Sequence, residues 1–345
     1  MTSILDLDPY GTRMQKQFLA EVNELTHHHI NGCEPYRRIN KNFVDATKVE
    51  DIPWVHVGVF KHLKFRTEAE GIVFGERTLN SSATSSGIPS QIVLDNKSSD
   101  LQSKSSINIL KKVVGDSLRP LLILDSSRSL RGRTLSARVA AAMSLKPLAS
   151  EIYFLLDDAA NPDSMKWDVL TEILERENEL LVYGFTWILW LAWANGNMPE
   201  KIKSLLKGKT IHFVHSGGWK KLESQKVSHR EFDSLLLNNL TNQSKVIDFY
   251  GLVEQIGVIF PLTEDDYRLV PVWSECIVRD PWTLEPIYDK PGMLQLINLL
   301  SWGAPYHSVL TEDMAIMPRP KVNGLRKFKL LGRIPKAEVR GCANV

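Results

Sequence analysis

The chain has 345 residues, 43% of them apolar and 24% charged. At roughly 100–200 residues per domain that allows two or three domains, and the balance excludes global disorder and a coiled coil. Its 42 basic and 40 acidic side chains leave a net charge of +2, too little for bulk attraction to nucleic acid or an anionic membrane, although a local cluster can still bind phosphate.

Three cysteines, Cys33, Cys276 and Cys342, are too few for a disulfide framework and fit a reducing compartment. The N-terminal MTSILDLDPYGTR holds two early aspartates and no apolar core, so it is not a secretory signal. Residues 10–28 carry apolar side chains at helical spacing, Met14, Phe18, Leu19, Val22 and Leu25, and the first 75 residues read as helix and loop. His27, His28 and His29 beside Cys33 invite a zinc site. Successive helical residues point about 100° apart, however, so three in a row cannot converge on one ion, and the triplet reads as a solvated helix end. Residues 80–105 are serine-rich and too poor in apolar groups for a core element. They read as a linker, or as a loop that binds through hydroxyls and backbone N–H groups.

Between 120 and 215 strand and helix patterns alternate. LLILD (121–125), EIYFLLDD (151–158), LLVYGF (180–185) and IHFVHSGG (211–218) read as buried strands, while 134–145, 165–177 and 187–194 read as helices. This predicts a mainly parallel sheet with helices on its faces, and ligands in such sheets sit beyond the carboxyl ends of the strands. Ser216-Gly217-Gly218 lies at such an end. The charge-free stretch 180–198 has an apolar part of only 15 residues, short of the ~20 that span a bilayer. A soluble, cytoplasmic protein without a membrane span is expected. After residue 245, short β-like runs split by Pro, Gly and Asp predict an antiparallel sheet or small barrel, and the tail 321–340 holds seven Lys or Arg against one Glu.

The loop Ser81-Ser82-Ala83-Thr84-Ser85-Ser86-Gly87-Ile88-Pro89-Ser90 combines hydroxyl donors with a glycine, a composition that can wrap oxyanions, although it lacks the Gly-Lys-Ser/Thr of a Walker A loop. It is followed in order by His215-Ser216-Gly217-Gly218-Trp219-Lys220, Asp248-Phe249-Tyr250-Gly251-Leu252-Val253-Glu254, Val278-Arg279-Asp280-Pro281, Leu310-Thr311-Glu312-Asp313, Leu331-Gly332-Arg333 and Arg340-Gly341-Cys342. This series resembles the adenylate-forming superfamily, and most closely the acyl-protein synthetase (LuxE-type) family.

The resemblance implies an α/β fold: a large adenylate-forming domain of mainly parallel sheets flanked by helices, a small β-barrel-like subdomain, and a C-terminal domain reduced to a short tail. The expected organisation is a helical part over 1–75 packed on the core, an α/β part over 76–240, a β-rich part over 241–330, and a hinge with tail over 331–345. It further implies that Ser81, Ser82, Thr84, Ser85, Ser86 and Gly87 close over the ATP phosphates. Ser216, Gly217 and Gly218 would lie against the adenine with Trp219 beside them, and Tyr250 and Gly251 would flank it. Glu254 would hold Mg²⁺, Asp313 the ribose hydroxyls, and Arg333 would reach the ribose or a phosphate. Val253 stands where the family usually has threonine. Lys220 and Lys336 are candidates to replace the lysine of the missing C-terminal domain.

The implied reaction joins two anions, a carboxylate and a phosphate, and Mg²⁺, backbone N–H groups and a cation offset the repulsion. Mg²⁺ keeps water and phosphate oxygens, so one glutamate suffices. Cys342 would then take the acyl group, fatty in the family's pattern, as a thioester for a partner reductase, with Arg340 and the basic tail lowering its thiol pKa. Two alternatives stay open: an adenylating ligase serving a carrier protein or an amine acceptor, and a non-catalytic nucleotide- or acyl-binding subunit. Tyr183, Gly184, Phe185, Trp187 and Trp190 read either as an acyl tunnel, with Gly184 leaving room for a chain, or as ordinary core.

Overall fold

A computed structural model describes residues 3–80, 91–130, 134–320 and 324–334. The N-terminal part forms α1 (Gln15–Gly32), α2 (Glu34–Ile39) and a two-residue strand β1 (Val55–His56). Helix α1 begins after Met14 rather than at residue 10. The chain before it is drawn to the β-rich part, where buried Arg13 pairs with Glu275 and donates to Ser274 O at 2.8 Å.

The histidine triplet is not a solvated helix end. The three side chains fan out as helical geometry requires: His27 Nε2 contacts Asp45 at 2.6 Å, His28 Nε2 contacts Trp302 O at 2.9 Å, and His29 is fully buried between Thr67 Oγ1 (2.7 Å) and Ser301 O (2.8 Å). His29 stacks on buried His307 with ring centroids 4.8 Å apart, and His307 Nε2 meets Thr26 Oγ1 at 3.1 Å. Burial, with each ring's histidine neighbours adding to it, holds His29 well below the ordinary histidine value and His307 at about 3. In the unfolded chain both titrate near 6.5, so it binds protons that the native state refuses as pH falls below that value. Stability is therefore complete above about pH 6.5 and expected to be roughly 2 kcal/mol lower one pH unit below it, which urea unfolding at the two pH values measures. An unchanged midpoint contradicts this account of the pair.

Next come β2 (Phe74–Asn80), β3 (Gln91–Asp95) and α3 (Asn96–Val114). The expectation that 80–105 holds no core element fails for its second half. Asp95 caps α3, its Oδ2 accepting from Ser98 N at 2.9 Å. The serines then dock the helix by hydrogen bonds where apolar residues would use contact area. Ser98 Oγ accepts from Trp302 N (2.7 Å), while Ser105 Oγ donates to Gly257 O (2.6 Å) and accepts from Trp273 Nε1 (2.7 Å). The first half, 81–90, lies outside the described residues.

The alternating region supplies β4 (Arg119–Ile123), β5 (Thr134–Ser136), α4 (Ala137–Met143), β6 (Ala149–Phe154), α5 (Trp167–Arg176) and β7 (Glu179–Phe185). It continues with α6 (Thr186–Leu189), running into a π-helical turn at Trp190–Ala194, then α7 (Glu200–Leu206), β8 (Thr210–Ser216), α8 (His229–Leu236), β9 (Lys245–Tyr250) and β10 (Phe260–Pro261). The expected helix over 134–145 opens as a strand. One sheet has the order β10-β9-β8-β7-β4-β6, parallel throughout except for β10. The period of two in a strand sends Leu122, Val182 and Phe213 into the core under α5, α7 and α8, and Leu121, Ile123, Leu181 and Val214 into the opposite core with Leu110 of α3. From β4 the chain crosses to β6 on one side and returns to β7 on the other, so a topological switch point lies at β4. A three-stranded sheet, β3-β2-β5, stands apart.

The C-terminal runs form an antiparallel sheet from β11 (Arg268–Leu269), β12 (Ser274–Arg279), β13 (Gly292–Asn298), β14 (Ser308–Ile316) and β15 (Lys327–Arg333), in the order β11-β15-β14-β13-β12, with β1 added parallel to β14. Its buried face packs Trp273, Ile277, Leu294, Leu296 and Phe328 with Phe18 and Val22 of α1. Among the described residues no helix is long and apolar enough to cross a membrane.

Candidate active site

Strand β9 ends at Tyr250, and its hydroxyl donates to Asp313 Oδ2 on β14 at 2.6 Å. This bond joins the carboxyl edge of the parallel sheet to the antiparallel sheet. The Tyr250 ring is fixed against Phe260 and Phe328, with centroids 6.0 and 5.9 Å away. Asp313 is only 7% exposed and lies opposite Arg333 in the β14–β15 register, with Arg333 Nε 3.7 Å from Oδ1. Burial pushes the Asp313 carboxyl above its usual range, a shift that the Tyr250 hydrogen bond and Arg333 partly offset. Burial and the neighbouring Asp313 push the Tyr250 phenol well up, so it is a fixed donor.

Glu254 occupies the single turn Val253–Gln255, is 5% exposed and acts electrostatically on both Tyr250 and Tyr306. The next residue locks that turn: Gln255 Nε2 donates to Tyr306 O at 2.6 Å and its Oε1 accepts from Asn298 Nδ2 at 2.8 Å. Gly257 follows with φ +84°, and a Cβ there would stand 2.5 Å from Gln102 Cα. Only glycine lets the serine-rich helix α3 close against this turn.

The turn after β8 lies next to β9, since Ser216 pairs with Phe249. Thr186 Oγ1 donates to Gly217 O at 2.9 Å and meets His215 Nδ1 at 3.0 Å, pinning the turn from β7's side. Gly217 has φ +83°, and a Cβ on exposed Gly218 would meet nothing within 4 Å. A planar ligand therefore has backbone to lie on at Gly218. Gly251, also exposed, follows Tyr250 directly.

Tyr250, Glu254, Asp313 and Arg333 are thus brought together, with Ser216, Gly217, Gly218 and Gly251 on adjacent strand ends. Trp219 goes elsewhere: it is 7% exposed and packs into the apolar core against Trp190 (5.2 Å) and Phe232 (5.8 Å). Gly184 offers no room for a chain, because a Cβ there would meet Leu189 and Leu124 at 3.2 and 3.3 Å. Tyr183 and Trp190 lie in the two cores that flank the parallel sheet. Ser81, Ser82, Thr84, Ser85, Ser86, Gly87, Lys336 and Cys342 lie outside the described residues, as does the side chain of Lys220.

Two features were assigned no role from the sequence. Asp248, two residues before Tyr250, receives Arg268 Nη2 at 2.9 Å and has His229 Nδ1 3.6 Å away. Burial alone would raise its carboxyl, but Arg268 together with His215 and His229 outweighs this and holds it low. Beside it a cavity of about 390 Å³ is lined by His229, Asp233, Asp248, Glu264 and Asp266, and of the motif residues quoted from the sequence Asp248 alone is among its lining residues. Asp233 there is pushed up to about 6 by burial and by Asp248. Nothing in the local sequence marks either feature, since α8, β9 and the loop after β10 meet only through the fold.

The comparisons agree with this architecture. Two curated relatives, both long-chain-fatty-acid–luciferin-component ligases, are similar to the chain: that of Aliivibrio fischeri is 26% identical over 93% of this chain and 85% of its own, and that of Vibrio harveyi is 25% identical over 99% and 92%. Among solved structures, an open conformation of 2-hydroxyisobutyryl-CoA ligase in complex with 2-HIB-AMP and CoA superposes with a TM-score of 0.66 at 15% identity, over 96% of this chain and 78% of that one. The same ligase in its postadenylation state gives 0.62, over 94% and 69%. The fold is that of the adenylate-forming ligases. The model of the acyl-protein synthetase LuxE family matches residues 3–345, so the chain belongs to the LuxE acyl-protein synthetases and, with them, to the ligases.

Proposed function

We propose that the chain activates a fatty acid with ATP, releasing pyrophosphate, and passes the acyl group to Cys342 as a thioester from which a partner reductase draws. The observation that carries this reading is the Tyr250–Asp313 junction with Glu254 beside it. Family membership and the names of the two relatives support the choice of a fatty acid.

The residues suit a nucleotide. Asp313 is a desolvated carboxylate with one short donor on Oδ2 and a long approach from Arg333 to Oδ1. It has acceptor capacity to spare, and a vicinal diol such as ribose supplies matching donors. They suit Mg²⁺ too. Among the described residues no three potential ligands converge, and an ion held by Glu254 alone would complete its shell with phosphate oxygens and water, as Mg²⁺ does. Bound there, Mg²⁺ would neutralise charge on the phosphates.

The chain's own part is positional. Gln255 fixes the turn that carries Glu254, Tyr250 orients Asp313, and Thr186 pins the glycine turn. The carboxylate oxygen of the acid attacks the α-phosphorus, the Pα–O–Pβ bond breaks, and pyrophosphate leaves. The Cys342 thiolate then attacks the acyl carbon and AMP leaves. The buried free thiols Cys33 and Cys276 fit a reducing compartment, for which the cytoplasm is proposed. Acid-dependent exchange of labelled pyrophosphate into ATP tests the reading: exchange with a long-chain fatty acid is expected, and its absence with every acid tried defeats it.

A further inference from the structure

We propose that Arg138, held in place by Asp125, binds the carboxylate of the acid and presents it for activation. The proposal rests on the adenylation reading above and names a residue that no sequence motif marks.

The position follows from two registers. Strand β5 runs parallel to β2 with Ser136 opposite Asn80, so α4 starts beside the carboxyl end of β2. Arg138 is the second residue of α4. Its side chain reaches the other sheet, where Nε is 2.5 Å from Asp125 Oδ2 and Nη2 is 3.3 Å from Oδ1. The guanidinium carbon stands 6.0 Å from the Phe185 ring. Asp125 lies just past the end of β4 and Phe185 ends β7, the adjacent strands at the topological switch point. Crevices beyond the carboxyl ends of strands at such a point are where open α/β sheets bind ligands.

Asp125 is a rigid support. It is 2% exposed, and its Oδ1 also accepts from Ser126 N (2.7 Å) and Ser129 Oγ (2.8 Å). Arg138 keeps 21% of its side chain exposed. A guanidinium carries five N–H donors in a planar fork, and Asp125 engages only the Nε and Nη2 edge. Nη1 has a single long contact, 3.5 Å to Ala159 O, so donors remain for a second oxyanion. A planar carboxylate matches that geometry. The acid must stand at the α-phosphate before attack, and Arg138 stands at the carboxyl ends of β4 and β7, beside β8, the strand that carries the glycine turn.

Calorimetry without ATP, using dodecanoate and dodecan-1-ol as probes, separates charge recognition from chain binding. The wild-type chain is expected to prefer the carboxylate. Arg138→Gln is expected to weaken dodecanoate about tenfold or more, the worth of a lost charge-assisted pair, and to leave dodecanol within about twofold. Arg138→Lys keeps the charge without the fork and is expected to lose roughly threefold to tenfold on dodecanoate alone, so the distinction survives even if Arg138→Gln does not fold. A wild-type chain without carboxylate preference, an Arg138→Lys variant with wild-type dodecanoate affinity, or variants that lose both probes together would each overturn the assignment. A wild-type chain that discriminates the probes in this way yet never exchanges pyrophosphate would instead sink the adenylation reading and leave Arg138 as a carboxylate site.

Discussion

Glu254→Gln is expected to lower acid-dependent pyrophosphate exchange by about two to three orders of magnitude and to leave the thermal midpoint nearly unchanged. The amide keeps the size of the side chain, removes its charge and turns one acceptor oxygen into a donor. In this place the charge matters, because the side chain is 5% exposed in a turn locked by Gln255 to Tyr306 and Asn298. Raising the Mg²⁺ concentration should restore part of the rate if the lost group held the ion. A variant within threefold of wild type, as a rough bound for an uninvolved carboxylate, removes Glu254 from the machinery.

Cys342→Ser is expected to abolish hydroxylamine-labile acyl label on the chain while leaving pyrophosphate exchange intact. The expectation rests on chemistry and elimination. Cys33 and Cys276 are both buried, and burial pushes both thiols up, Cys276 far up, so neither offers a thiolate near neutral pH. A thiol able to accept the acyl group is therefore expected at Cys342, among the basic residues of the tail. Replacing Cys33 or Cys276 by serine should leave the label in place. Label that persists in Cys342→Ser and vanishes in another cysteine variant would move the acceptor.

Much of the parallel sheet was legible because β4 and β7 hold the apolar runs Leu121–Ile123 and Leu180–Tyr183, a composition that burial on both faces demands, and β8 holds Ile211, Phe213 and Val214. Helix α3 was not legible, because Ser98 and Ser105 dock it by hydrogen bonds to backbone and to Trp273, which no apolar period records. The same holds at the N-terminus. Buried Arg13 and His29 find their partners 262 and 272 residues away, beyond any local pattern. At the site, Tyr250, Glu254, Asp313 and Arg333 were readable only as an ordered series, and the fold supplies the contact between them. Trp219 shows the converse: its place in the series suggested a ligand contact, whereas its apolar surface is satisfied by Trp190 and Phe232. Asp248–Arg268 and Asp125–Arg138 join segments with no shared motif and became visible only through strand order.

The central claim is that one nucleotide sits across the junction of the two sheets. A crystal structure with a non-hydrolysable acyl-sulfamoyl adenosine tests it most directly. The account predicts the ribose hydroxyls on Asp313 and the purine against the Gly217–Gly218 backbone and Tyr250. An analogue bound with its ribose away from Asp313, leaving the Tyr250–Asp313 pair untouched, would contradict it.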